Sequence, residues 1–201
     1  MKLYDLEVSG NCYKVRLFAA LAEINVDLLA VDFMNQEHKS ESILKLNSFG
    51  QLPILQDDQI TLRDSQAILV YLANKYAGEA WWPFEAHLQA DVMQWLSVAA
   101  NEIYHGPNMA RLVVKFSAEA DYEKALHNSH KILSIIDQHL SSNNWLAANR
   151  PTIAECAVFP YIALANEGKV DVSRYINIVK WLNRVKDLPG FISMPGLKFY
   201  D

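Results

Sequence analysis

From Met1 to Ala77, short strand-like runs take turns with longer stretches of helical apolar spacing. Lys2–Glu7 predicts a strand, and Asn11–Glu23 sets Val15, Leu17, Phe18, Leu21 and Ala22 at helical intervals. Val26–Phe33 is rich in strand formers, Ser40–Leu46 predicts a short helix, and Pro53–Gln56 a buried strand. Asp57-Asp58 marks a turn, Ile60–Leu62 a fourth strand, and Ser65–Tyr76 a helix. The order is β-α-β-α-β-β-α. Its βαβ start requires a right-handed crossover and parallel pairing, and its end is a hairpin, so the sheet is mixed and four-stranded.

The pattern then breaks at Ala77-Gly78-Glu79-Ala80-Trp81-Trp82-Pro83, a linker whose aromatic residues can pin it between two units. Beyond Glu85 the spacing is helical throughout, over Leu88–Val114, Ala118–Leu140, Ile153–Asn166 and Ser173–Val185. Thr152 and Glu155 form a capping box, and Pro160 is expected to bend its helix or remove one hydrogen bond. Ser173 is the expected cap of the last long helix, which Pro189-Gly190 ends. The domains expected are therefore residues 1–77, a linker at 78–84, and an all-helical bundle over 85–201.

Composition narrows the function classes. The net charge of −5 argues against nucleic acid as a partner, because phosphate binding needs clustered Lys and Arg. No apolar run reaches the roughly 18 residues of a membrane span, and the N-terminus does not read as a secretory signal. Cys12 and Cys156 lie far apart without metal-ligand spacing. They read as free thiols of a reducing compartment, so a cytoplasmic setting and no metal are expected.

Three segments of the first unit carry candidate chemistry. In Val8-Ser9-Gly10-Asn11-Cys12, a helix starting near Asn11 aims backbone N–H groups and its positive dipole end at the turn, where Ser9 adds a hydroxyl donor. In Gln51-Leu52-Pro53-Ile54, a cis Leu52–Pro53 bond would turn the Leu52 backbone sideways, so that a bound peptide could pair with it as an added strand. In Asp64-Ser65-Gln66, Ser65 is expected to cap the third helix and bind a carboxylate there, while Asp64 pairs with an amine. Together these two suit an α-amino acid head group. Taken singly, each segment also has a plain reading as a cap or a turn.

The chain resembles the serine-type glutathione transferases. The resemblance lies in Val8-Ser9-Gly10-Asn11-Cys12-Tyr13-Lys14-Val15-Arg16-Leu17, Glu37-His38-Lys39-Ser40, Asn47-Ser48-Phe49-Gly50-Gln51-Leu52-Pro53-Ile54-Leu55 and Leu62-Arg63-Asp64-Ser65-Gln66-Ala67-Ile68. It is nearest a phi-like bacterial member of that superfamily, although Asp is commoner there than Glu155. The resemblance implies a thioredoxin-like N-terminal domain followed by the helical domain. It implies glutathione as co-substrate, no cofactor, and a homodimer with Trp81, Trp82, Trp95 and Phe84 at the interface or linker. Ser9 matches the hydroxyl that bonds the glutathione sulfur. Asn11, His38, Lys39, Gln51, Leu52, Pro53, Asp64 and Ser65 match glutathione-binding positions. The acceptor pocket for a small hydrophobic electrophile is expected between the domains, from Leu6, Val8, Tyr104, His105 and Met109. Such chemistry implies conjugation in detoxification, with isomerisation or dehalogenation as variants.

Two other readings compete. Cys12, a thiol near a helix start, could run glutathione-dependent disulfide exchange. It stands, however, where the second and more buried cysteine of a Cys-x-x-Cys motif falls, with Ser9 in the attacking position. The same fold also serves as a non-catalytic interaction module, but such modules tend to lose the glutathione anchors, which are retained here.

Overall fold

The computed structural model describes residues 1–200. Strands β1 (Lys2–Asp5), β2 (Asp27–Ala30), β3 (Ile54–Asp57) and β4 (Ile60–Arg63) form one sheet in the order β2-β1-β3-β4. β1 runs parallel to β2 and antiparallel to β3, which forms a hairpin with β4. This is the mixed four-stranded thioredoxin-like arrangement. Helices α1 (Gly10–Leu21) and α3 (Ser65–Leu72) pack against each other, and α2 (Glu41–Leu46) belongs with a smaller cluster of Val31, Ile43 and Ile54.

The strands are shorter than the apolar runs suggest, because runs such as Val26–Phe33 continue past the last ladder pair. β2 ends at Ala30, whereas Val31 turns into the small core and Phe33 is exposed. The third helix also ends early. From Ala73 to Ala77 the backbone winds as a π-helical turn, which swings Lys75 and Tyr76 over the end of β3, where both donate to Asp57.

The second unit holds α4 (Ala86–Ala100), α5 (Met109–Phe116), α6 (Tyr122–Leu140), α7 (Ile153–Ala163) and α8 (Ile176–Lys186). All eleven residues of α7 are buried, so it is apolar all round and lies at the centre of the bundle. The expected capping box starts it, with Thr152 Oγ1 accepting the Ala154 N–H and Glu155 accepting the Thr152 N–H at 2.8 Å.

Three expectations change. The predicted helix 88–114 is two helices, separated by a π-helical turn over Tyr104–Asn108, where Gly106 is non-helical and Pro107 lacks an N–H. α6 begins at Tyr122 and not near Ala118, because Asp121 caps it by accepting the Lys124 N–H at 2.9 Å. Ser173 does not cap α8. It bonds Asp171 in a local turn, while Asp137 of α6 accepts the Asn177 and Ile178 N–H groups at 2.8 and 3.0 Å. That cap comes from tertiary structure, which local sequence cannot announce.

One hydrophobic core runs through both units, from Leu3, Leu55 and Ile68 to Leu133, Ile153 and Trp181. Trp82 and Trp95 are buried in it, and the Trp81 ring stands edge-on to Phe18 at 5.4 Å, so these three are linker and core residues. Phe84 remains exposed. Arg150 fastens the connecting segment by donating to the carbonyls of Glu79 and Ala80.

Candidate functional site

The β1–α1 turn is shaped by its own backbone. The Ser9 N–H donates to the Leu6 carbonyl at 2.9 Å, placing Ser9 in the extended region (φ −80°, ψ 120°) as the N-cap of α1. Its Oγ accepts the Cys12 N–H at 3.3 Å. The hydroxyl stands at the electropositive tip of a twelve-residue helix, and its hydrogen bonding also reaches the Cys12 thiol, where it opposes the upward effect of burial.

Beside this tip lies a small pocket of about 50 Å³, lined by Asn11, Asn47, Gln51, Leu52, Pro53, Arg63, Asp64 and Ser65. Six of these are residues singled out from sequence; Asn47 and Arg63 are not. The Leu52–Pro53 peptide is cis. Asn47 shapes the loop before it, donating to the Gln51 carbonyl at 2.8 Å and accepting the Phe49 N–H at 3.1 Å. Arg63 of β4 covers Phe49, with its guanidinium carbon 4.1 Å from the ring centre.

At α3 the cap is Asp64, not Ser65. One oxygen of the Asp64 carboxylate accepts both the Gln66 and Ala67 N–H groups at 3.0 Å. Ser65 is buried and its hydroxyl donates to Gln66 at 2.6 Å. Capping goes to the residue that precedes the helix with a non-helical backbone, and Asp64 has φ 72°. A left-handed φ on a residue other than glycine costs about 1–3 kcal/mol and is characteristic of functional turns.

His38 and Lys39 lie behind the loop and do not line the pocket. His38 is buried and stacked on Phe33 at 3.9 Å, with Nδ1 unpartnered among the described residues. Burial, reinforced by the neighbouring Lys39 charge, pulls its pKa below the usual histidine range. Lys39 is exposed and donates to the Phe49 carbonyl at 3.2 Å.

The five residues expected around an acceptor do not share one cavity. Leu6 and Val8 sit half-buried in the β1–α1 turn. His105 and Met109 instead line a cavity of about 590 Å³ with α6 residues that include Lys124, Asn128 and Ile135. The π-helical turn over Tyr104–Asn108 takes 105 and 109 together towards α6. Tyr104 is partly exposed; it and Arg111 both act on the electrostatics of Tyr161. Tyr161 in turn packs on the start of α1, where a Cβ at position 10 would come within 2.6 Å of its ring.

Cys12 is fully buried, and burial pushes its thiol up to about 12, with the nearby Asp5 carboxylate adding to the effect. Cys156 is also buried and its thiol is raised well above the usual range. Among the described residues no group of three His, Cys, Asp or Glu side chains could hold a metal ion, and no helix is long and apolar enough to cross a membrane.

The family model for the glutathione S-transferase N-terminal domain matches residues 3–80, and that for the C-terminal domain matches residues 94–189. A possible glutathione S-transferase from Rhodopseudomonas palustris superimposes with a TM-score of 0.87 at 31% identity, over 96% of each chain. This chain belongs to the glutathione S-transferase family. A glutathione S-transferase from Pseudomonas fluorescens is similar at 30% identity and a TM-score of 0.90, covering 96% of this chain and 98% of its own. Glutathione S-transferase 3 of Zea mays is 28% identical over 95% of this chain and 91% of its own length.

Lys14, Arg111 and Tyr161 are further polar residues at this site of the glutathione S-transferase fold, and none was picked out from sequence. Lys14 and Arg111 are almost wholly buried. Each is a cation within a largely apolar helix run, although α1 carries Arg16 as well and α5 carries Lys115, so the sequence does not set either apart.

Proposed function

We propose that this chain binds glutathione in the pocket at the tip of α1 and holds its sulfur as a thiolate, by donation from Ser9, for attack on a small hydrophobic electrophile. The observation that carries the reading is the Ser9 hydroxyl at the N-cap of α1, its oxygen accepting the Cys12 N–H at the electropositive end of the helix. Asp64 and Ser65 are the anchors for the γ-glutamyl head group, the Leu52 backbone for the cysteinyl unit, and Asn11 and Gln51 line the same pocket. Lys39, which donates to the Phe49 carbonyl, and His38 are the residues we assign to the glycyl carboxylate side, outside the pocket lining.

The magnitudes suffice. A free thiol has a pKa of about 8.5, and lowering it by two units requires about 2.7 kcal/mol of preference for the anion. A hydrogen bond to a charged acceptor supplies roughly 1.5–3 kcal/mol, and a helix N-terminus about 0.3–1, up to ~2 when partly buried. Holding the thiolate beside its electrophile then supplies further acceleration. Leu6, Val8 and Tyr104 are the residues assigned to the acceptor side.

Disulfide exchange through Cys12 is disfavoured by that thiol's complete burial and raised pKa. An interaction module would have no use for the retained anchors. A homodimer fits the exposed apolar Phe49, Phe84 and Ile135, and a reducing cytoplasmic setting fits the two free thiols. Detoxification is the role we assign. The test is retention on immobilised glutathione and release by free glutathione, followed by an electrophile screen. A protein that neither binds glutathione nor turns over any acceptor refutes the reading.

A further inference from the structure

We propose that Arg111 is the positioning residue of the catalytic turn: it reaches across from the helical domain and holds the Val8 carbonyl, fixing the peptide that orients Ser9. This rests on the role given to Ser9 above.

The three carbonyls that precede Ser9 are all occupied. Leu6 O accepts the Ser9 N–H at 2.9 Å. Glu7 O accepts from Arg16 at 2.7 Å, and Arg16 is itself paired with Asp5 at 2.6 Å. Val8 O accepts from Arg111 at 3.0 Å. Two guanidinium groups thus grip consecutive peptides, one from the turn's own domain and one from α5. The second grip is the only one of the three that crosses the domain boundary.

Arg111 is held rigidly enough to do this. Only 2% of it is exposed, and its Nε donates to Glu167 at 2.6 Å. Lys115 pairs with the other Glu167 oxygen. A buried guanidinium is costly unless its donors are satisfied, so these partners confine it to one orientation. The turn Ala165–Gly168 that supplies Glu167 lies directly on α5: a Cβ at position 168 would come within 2.6 Å of the Arg111 backbone nitrogen. Glu167 and Val8 O accept from different nitrogens of the same guanidinium, so the group that the helical domain fixes in turn fixes the Val8 peptide.

The test compares Arg111→Lys, which keeps the charge but cannot span Glu167 and Val8 O together, with Thr152→Ala, which weakens the N-terminal cap of α7 at the opposite end of that helix from Tyr161. Ultraviolet titration of bound glutathione reads the thiol pKa. Hydrogen exchange of the peptide covering residues 6–12 reads the turn without ligand. Arg111→Lys is expected to raise the bound-thiol pKa by about half a unit to one unit, lower kcat about tenfold, change KM for glutathione little, and speed exchange over 6–12. Thr152→Ala is expected to lower the melting temperature and leave both readouts at their wild-type values. A wild-type exchange pattern and thiol pKa in Arg111→Lys overturn the inference. So does a shift in Thr152→Ala that tracks its loss of stability. A wild-type protein that binds no glutathione sinks the functional reading instead, and the exchange experiment then still decides whether Arg111 holds the turn.

Discussion

Ser9 Oγ stands 3.3 Å from the backbone nitrogen of Cys12 and accepts its N–H. The contact caps α1 and fixes the hydroxyl oxygen at the electropositive tip of the helix. Ser9→Ala is expected to raise the pKa of the bound thiol by about one to two units and lower kcat/KM roughly 10–100-fold. Loss of the cap costs about 1 kcal/mol of stability besides. Thiolate absorbance against pH separates the chemical effect from the structural one. Full conjugating activity in Ser9→Ala, together with its loss in Cys12→Ala, would move the assignment to the cysteine.

Asp64 combines a left-handed backbone with a carboxylate of which one oxygen caps α3. Asparagine tolerates the same φ and caps nearly as well, so Asp64→Asn removes chiefly the charge. If that charge receives the glutathione amine, KM for glutathione rises by about tenfold while kcat stays close to wild type. Steady-state kinetics at saturating electrophile measure the split. An unchanged KM would reduce Asp64 to a helix cap.

Much of this architecture was legible because it is local. The order β-α-β-α-β-β-α, the capping box at Thr152 and Glu155, and each of the turns around Asn11, Leu52 and Asp64 depend on residues close together in the chain. The mixed sheet, in which β1 pairs with the distant β3, follows from the handedness of the βαβ unit and the closing hairpin. The misreadings concern partners from elsewhere. The cap of α8 is Asp137, forty residues before the N–H it accepts from Asn177. Arg111 acquires its meaning from Val8 and Glu167, one in the other domain and one beyond α7. The break between α4 and α5 falls at Gly106-Pro107, which the apolar spacing over 88–114 runs straight through, and its π-helical winding, with the direction of His105 and Met109, is a three-dimensional result.

Asp57 accepts from three donors through one oxygen: Lys75 at 2.8 Å, Tyr71 at 2.7 Å, and Tyr76. Hydrogen bonding from Lys75 foremost, then Tyr76, holds its pKa down to about 2. A carboxyl whose folded pKa lies below its unfolded one stabilises the fold above the unfolded value of about 3.9 and loses that contribution as pH falls towards 2. Asp57→Asn is therefore expected to lower the melting temperature at pH 6, with the gap to wild type closing as the pH drops through 4 to 2. Thermal melts across that range check it. A gap that stays constant with pH would mean the carboxylate charge contributes nothing there.

Lys14 is 1% exposed, and its ammonium lies 5.3 Å from the Tyr161 ring centre. Tyr161 meets it from α7, and Asp64 acts on it from the start of α3. Burial lowers its pKa from 10.5 to about 7, against the opposing attraction of Asp64. A lysine lowered in this way binds fewer protons folded than unfolded above pH 7. Stability from this group consequently rises with pH from about 7 towards its unfolded pKa and is flat beyond it. Cys12 acts oppositely at higher pH, because its raised pKa makes ionisation of the unfolded thiol costly to the fold above about 8.5. The clean window is thus pH 7 to roughly 8.5. Lys14→Met keeps much of the stem's volume without the amine, and denaturant unfolding across that window is expected to show a smaller upward slope of stability with pH than wild type. Equal slopes in the two proteins would mean that Lys14 keeps its proton within the fold, held there by Asp64 and the Tyr161 ring.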